Sequence, residues 1–494
     1  MLFTFWAVAT KLLVVPRVWL VWTLSILGVI MCLSVALVTG SAFKLIVSTC
    51  GPESKGALVG AAKGYSGLGA GAYAMLFGAL GRDNDLDVLL MIGCFNLLAA
   101  ALPALLLLPS NSNEEPRVDD LSAPHFRTIY SGLAGLGSLV VGQSLVSLYH
   151  GDVEKEGPDY VHFFLLCAVW MGPVLSLLIH PRLVSSAMIP SVDEEHALLV
   201  DGQPSIGVVK PSSIGVVKPF SIAPAPPTGG SAQSIVSDYQ EVTKKTDEPP
   251  TEEPSSLTPA KPRQYKLLEM LSTVEAWLLC WTCTILTGGG TVMTNNMGQM
   301  SESLRLHENV TPAALALFCA AQALSRVITG VLSDHCLQTY DWARPIFLLV
   351  ASLAGAIAHI VLAFATHEIP FVIGVALSGV AFGMVWPLVV LIVEELFGAK
   401  HLGANYMFFD GFDIAIGTLI VSKFIAGEVY DRHVVHDGHQ EDETTCYGEG
   451  CFQMTHVIVA ALSGSCVFTC LCLLNTKLSK VAYDGVPSSV TKRH

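Results

Sequence analysis

Apolar runs about as long as a bilayer is thick recur along this chain, and they constrain its fold more than any motif does. A helix needs about 20 apolar residues to cross the hydrocarbon core. In lipid, only helices and closed barrels satisfy their own backbone hydrogen bonds. Runs of that kind lie at Trp19–Val38, Lys55–Leu80, Asp87–Leu108, Phe126–Leu148 and Tyr160–Ile179. After a polar gap they resume at Val274–Met293, Pro312–Leu332, Pro345–Thr366, Pro370–Val393, Gly403–Ile425 and Met454–Leu474. Charged residues make up 14% of the chain, against about a quarter in a soluble domain. The fold class expected is an all-α polytopic membrane protein with about 11 full spans. A partial helix is expected over Met1–Val15, which is too short to span and lacks the basic start and cleavage site of a signal peptide.

Between the two sets of spans, Ser185–Lys266 is rich in Pro, Ser, Lys and acidic residues and cannot bury a core. It carries a tandem SIGVVKP at Ser205–Pro211 and Ser213–Pro219, and an acidic dileucine pattern at Glu194–Leu199 that reads as chance or as a sorting signal. The expected organisation is a transmembrane half over 1–184, a disordered linker over 185–266, a six-helix half over 267–476 and a tail over 477–494. Lys and Arg near span ends gather on one side (Lys55, Arg344, Lys400, Lys477, Lys480). That side, holding linker and C-terminus, is therefore expected to be cytoplasmic. The other side holds Gly427–Gln453 and the sequon Asn309-Val310-Thr311, which lies close to the membrane. The net charge of −14 falls mostly in loops and says nothing about nucleic acid; no basic stripe is present, and no nucleic-acid partner is expected. The partners expected are the lipid bilayer of a plasma or endomembrane and a small molecule or ion. No cofactor is expected: HExxH, a P-loop and a nucleophile constellation are all missing from the sequence, which argues against an enzyme.

The stretch Lys55–Gly78 organises the first half. Gly56, Gly60 and Gly64 fall four apart on one helix face, where a second backbone can approach closely. Lys63 lies inside the span. An intramembrane charge is either paired with a carboxylate or functional. Sliding one half over the other sets Lys63-Gly64-Tyr65 on Asp410-Gly411-Phe412 and Gly56 on Gly403. Parallel repeats of this kind build secondary transporters with the solute site between halves, near mid-bilayer. The register also implies that two and a half spans, roughly 80–100 residues, precede Met1.

These residues carry a resemblance. KGALVGAAKGYSGLGAGAYAMLF, TNNMGQMSESL, SRVITGVLSD, ARPI, EELFGAKHLGANYMF and CYGEGCF occur in order along the chain. Together they resemble the nodulin-like branch of the major facilitator superfamily, which includes plant nuclear-fusion-defective-like proteins. The resemblance implies the facilitator fold, cytoplasmic termini and two extra spans before the central loop. It also implies a cytoplasmic gate in which Gly330 and Asp334 match the signature G-x-x-x-D. Arg344, Glu394 and Glu395 supply further charge at that mouth; solvated loop charges are the alternative.

Other residues are singled out by their own chemistry. Arg326 lies within a span, and Asp410 and Asp413 lie within one turn of each other in another. Burial favours the protonated carboxyl, so one of the two could exchange protons near neutral pH. Asp410 is the preferred coupling residue, its partner expected on one of the spans that precede Met1, and Lys63 is expected to bind an anionic substrate or to pair with a carboxylate across the interface. Tyr65 flanks Lys63. Asn295, Asn296 and Gln299 line a cavity or cap a helix end, and Glu275 is interfacial. Trp386-Pro387 marks a kink. The loop holding His433, His436, His439, Glu441, Asp442 and Glu443 could gather a divalent metal. A solvated loop is the simpler reading, because nothing there fixes a ligand geometry, and no resident metal is expected. Most of the thirteen cysteines lie in apolar runs as small hydrophobes. Cys446 and Cys451 lie in a polar loop on the side where a disulfide forms. The function expected is alternating-access transport of a small solute, coupled to protons or another ion. A receptor that keeps the fold without transport, or a transporter of a metal or metal complex, is the alternative.

Overall fold

In the computed structural model, residues 2–49, 51, 54–80, 86–106, 123–150, 159–179, 264–436 and 445–484 are described. The linker with its tandem repeat and dileucine pattern, His439 and Glu441–Glu443 lie outside these residues. Among the described residues every regular element is helical. The first half holds α1 (Leu2–Ala9), α2 (Arg17–Thr49), α3 (Lys55–Ala79), α4 (Asp87–Leu106), α5 (Ala123–His150) and α6 (Tyr160–Ile179). The second holds α7 (Leu267–Leu271), α8 (Val274–Ser303), α9 (Val310–Tyr340), α10 (Pro345–Ala363), α11 (Glu368–Phe397) and α12 (Leu402–Gly417). The last of these runs on as a π-helical stretch (Thr418–Ile425) into α13 (Ala426–His436), followed by α14 (Gly450–Asn475) and α15 (Lys477–Asp484).

Each expected span is a helix, and most extend beyond their apolar run because polar residues continue the helix past the hydrocarbon. Seven described helices are long and apolar enough to cross a membrane. The glycine-rich α3 and the 16-residue α12 fall outside that set, the first because glycine and Lys63 lower its mean hydropathy and the second because it is too short.

The α11 helix is apolar on every face and buried on every face, Val385 to Val393 without interruption. It passes through Pro387, where a kink is expected, as one helix. Gly398, at φ 89°, stops it with a conformation that glycine adopts freely. The α2 helix shows the opposite pattern. Gly40, Phe43 and Val47 form one buried stripe, while Trp19, Leu33 and Val38 are exposed as lipid-facing residues would be.

The halves meet at two glycine crossings. At Gly60 a Cβ would stand 2.7 Å from the Arg326 carbonyl oxygen and 3.2 Å from the Gly330 Cα, so α3 and α9 touch backbone to backbone. At Gly403 a Cβ would stand 3.3 Å from the Gly40 carbonyl oxygen, joining α12 to α2. Close approach of small residues replaces the hydrophobic drive that helices lack in lipid. The α5 helix lies beside this seam and packs on both α3 and α9.

Candidate functional site

The α3–α9 crossing places Lys63 in the middle of the bundle, 7% exposed at its side chain. Its Nζ lies 3.2 Å from Asp410 Oδ1 on α12. Tyr406, one turn earlier on α12, donates its hydroxyl hydrogen to the same carboxylate oxygen. Rings from three helices surround the ammonium: Phe43 at 4.8 Å, Trp386 at 4.8 Å and Tyr406 at 5.0 Å from their centroids. Aromatic faces attract a cation more strongly where water is excluded. Lys63 and Asp410 are the two positions that the internal repeat equates, and they meet each other. Asp410 therefore has its partner within the chain, on α3.

Arg326 enters the same centre from α9. Its Nη1 donates to the Lys63 carbonyl oxygen at 2.7 Å and its Nη2 to Gln322 Oε1 at 2.7 Å. Gln322 Nε2 in turn donates to the Gly67 carbonyl at 3.2 Å. Among the described residues Arg326 Nε and Trp386 Nε1 are buried without an acceptor. Asp413 shares a helix with Asp410 but not its surroundings. It turns to α8, where Thr284 Oγ1 donates to it at 2.9 Å and Cys280 Sγ at 3.4 Å.

A second charged group closes the Lys55 end. Arg344 donates to Glu395 Oε1 (2.6 Å), Ser333 Oγ (2.6 Å) and Asp334 Oδ1 (2.7 Å), and is 2% exposed. Asp334 Oδ2 accepts from the Ala57 backbone N–H at 3.0 Å, so a carboxylate of the second half caps the first turn of α3. Lys55 pairs with Glu394 at 3.0 Å across the same boundary. The solvated-loop alternative does not hold here: Asp334 lies on α9, which continues to Tyr340, and it is buried. From α15, Tyr483 donates to Glu395 Oε2 at 2.7 Å.

Other sequence candidates fall elsewhere. Tyr65 faces α5, donating to the Ile129 carbonyl at 3.0 Å, because it is two residues on from Lys63 and so on another face of α3. Asn295 and Asn296 are inside α8, not at its end; their amides reach Ser422 Oγ at 3.1 Å each. Gln299 is exposed and Glu275 half-buried in the first turn of α8. Asn309 is buried. His433 contacts the Val429 carbonyl, within its own helix. Cys446 and Cys451 are joined as a disulfide. No group of three or more potential metal ligands occurs among the described residues.

Sequence reading missed Phe43, Gln322, Tyr406, Thr284 and Tyr483. Tyr406 and Gln322 carried a usable signal, lying one turn before Asp410 and Arg326 on the same faces; Phe43 carried none, since only the crossing of helices brings it in.

One curated relative, the probable transporter mch1 of Emericella nidulans, is 24% identical over 223 residues. That match covers 38% of this chain and 35% of the relative, so the aligned part spans about a third of the relative's length. The crystal structure of the E. coli fucose:proton symporter is similar over 96% of this chain and 97% of that one, at 16% identity and a TM-score of 0.34, too low to bear on the fold. The profile of the Major Facilitator Superfamily matches residues 1–421. A helical, multi-pass chain matched over that length belongs to the Major Facilitator Superfamily.

Proposed function

We infer that this chain is a secondary active transporter of a small solute, working by alternating access and coupled to protons or another ion at Lys63–Asp410. The observation that carries the reading is a buried ion pair between the halves, at the same position of both repeats. A pair so placed breaks or reforms when the halves rock, and a carboxylate released from its lysine can take up a proton. The KGY stretch and the C-terminal motifs support the nodulin-like branch of the superfamily. Residues 1–184 and 267–476 act as the two halves, joined by a linker over 185–266, with the Lys55 end cytoplasmic. Gly330, Asp334, Arg344, Glu394 and Glu395 form the gate at that end.

The test is uptake into vesicles containing the purified full-length protein under an imposed pH gradient, with panels of sugars, amino acids and organic acids. The reading expects gradient-driven accumulation of at least one solute above protein-free vesicles, lost in Asp410→Asn and Lys63→Met. No accumulation from any panel would favour a receptor that keeps the fold.

A further inference from the structure

Two hydrogen-bond donors in the middle of the bundle have no acceptor among the described residues. Arg326 Nε and Trp386 Nε1 are both buried, 5% and 7% exposed by residue, and both are unpartnered. They belong to one cluster. Arg326 Cζ lies 5.6 Å from the Trp386 ring centroid, and Lys63 Nζ lies 4.8 Å from the same ring. A buried donor left unmet is unfavourable, and these two belong to a guanidinium and an indole in contact with each other.

Charge points the same way. Among the described residues the centre holds two cations, Lys63 and Arg326, and one carboxylate, Asp410, which is paired with Lys63. Arg326 meets only uncharged oxygens, those of the Lys63 carbonyl and the Gln322 amide. Asp413 turns away to Thr284 and Cys280 on α8. One further negative charge balances the centre at two against two. A carboxylate fits better than a single-atom anion, because its two oxygens can accept from two separate donors, one from each residue. Phe382, 5.6 Å from Trp386 and 5.9 Å from Arg326, offers an apolar surface to the rest of the ligand.

We propose that Arg326 Nε and Trp386 Nε1 bind the carboxylate of a small monovalent organic acid. The binding site stands on the two unmet donors. That its ligand is the transported solute rests on the transport reading above. The donors are buried, so the acid reaches them when the halves part.

The experiment is thermal unfolding of the purified full-length protein with sodium acetate, propionate and benzoate. The matched amides, and sodium chloride at equal ionic strength, serve as comparison. A ligand that binds only the folded state raises Tm in a saturable way. At least one of the three carboxylates does so in the native sequence, and the amides and chloride do not. In Trp386→Phe, which keeps the ring and removes the N–H, the apparent affinity for that carboxylate falls about tenfold. In Arg326→Gln the response is gone; if that variant does not fold, Arg326→Lys, which keeps the charge and removes Nε, shows the same loss. No response to any of the three carboxylates, equal response to the amides, or unchanged affinity in Trp386→Phe overturns the proposal. Carboxylate binding without vesicle uptake retires the transport reading and leaves the site. Uptake of a neutral solute at an undiminished rate in Arg326→Gln or Arg326→Lys does the reverse.

Discussion

Arg344 and Arg326 are both buried arginines of the second half, and they are held in opposite ways. Arg344 has all three nitrogens engaged, with two carboxylates and a serine as acceptors. Arg326 has no carboxylate among the described residues and one nitrogen without an acceptor. The first arrangement leaves nothing for a ligand and fixes the ends of α9, α10 and α11 against one another. The second leaves both charge and a donor uncommitted at the centre. The Lys63–Asp410 pair stands between these extremes: one ion pair, one supporting hydroxyl and aromatic walls. Fully satisfied charges brace, and partly satisfied ones can change partners.

The brace predicts the largest loss. Arg344→Ala leaves the buried Asp334 and the half-buried Glu395 without their cation, which costs about 3–5 kcal/mol. The purified variant is expected to lose its monodisperse folded peak or unfold at a much lower temperature. Native-like unfolding of Arg344→Ala would erase the contrast between the two arginines.

The central pair predicts coupling instead. Lys63→Met and Asp410→Asn each leave a partner behind, so the double variant should be more stable than the sum of the singles predicts. The interaction energy expected is about 0.5–3 kcal/mol, read from a thermal-unfolding cycle. Additivity would mean that the two residues do not depend on each other.

The two glycine crossings sharpen the comparison between α3 and α12. Gly60→Ala forces a methyl against the Arg326 carbonyl and should cost about 1–3 kcal/mol. Gly403→Ala meets Gly40 at a looser distance and should cost less, by the same measurement. The reverse order would move the tight seam from α3–α9 to α2–α12.

The smallest effect is at α15, outside the spans. Tyr483→Phe removes one hydrogen bond to Glu395, about 1 kcal/mol. Burial first, and then the charge of Glu395, push the Tyr483 hydroxyl above the usual phenol range. A group raised on folding contributes in full below its unfolded value, about 10 for tyrosine. That contribution declines as pH rises through the folded value. The native protein should therefore lose stability in that alkaline window by an increment that Tyr483→Phe lacks; equal alkaline slopes would remove the contact from the account.

Much of this was legible in the sequence because lipid makes the rules severe. Apolar length gave each span, and an intramembrane lysine and aspartate each stood out as costly charges, but that they pair with each other came only from the geometry. What stayed hidden depends on which helices cross. Tyr65 sits beside Lys63 in sequence and faces another helix, while Phe43 and Trp386, far apart in sequence, stand over the Lys63 ammonium. Asn295 and Asn296 looked like helix-end residues because the apolar run stops before them, yet α8 continues to Ser303. Asp334 looked like a loop charge for the same reason. Apolar runs mark where lipid is, and polar helix beyond them is invisible to that signal.

The central claim is that Lys63–Asp410 couples transport to an ion while the Arg344 network only braces. It is tested most directly by measuring two activities of Asp410→Asn in vesicles, for whichever solute the native protein accumulates. One is exchange of labelled for unlabelled solute with no gradient, and the other is accumulation driven by a pH gradient. The account predicts that exchange persists and accumulation is lost. Accumulation at the native level in Asp410→Asn would contradict it.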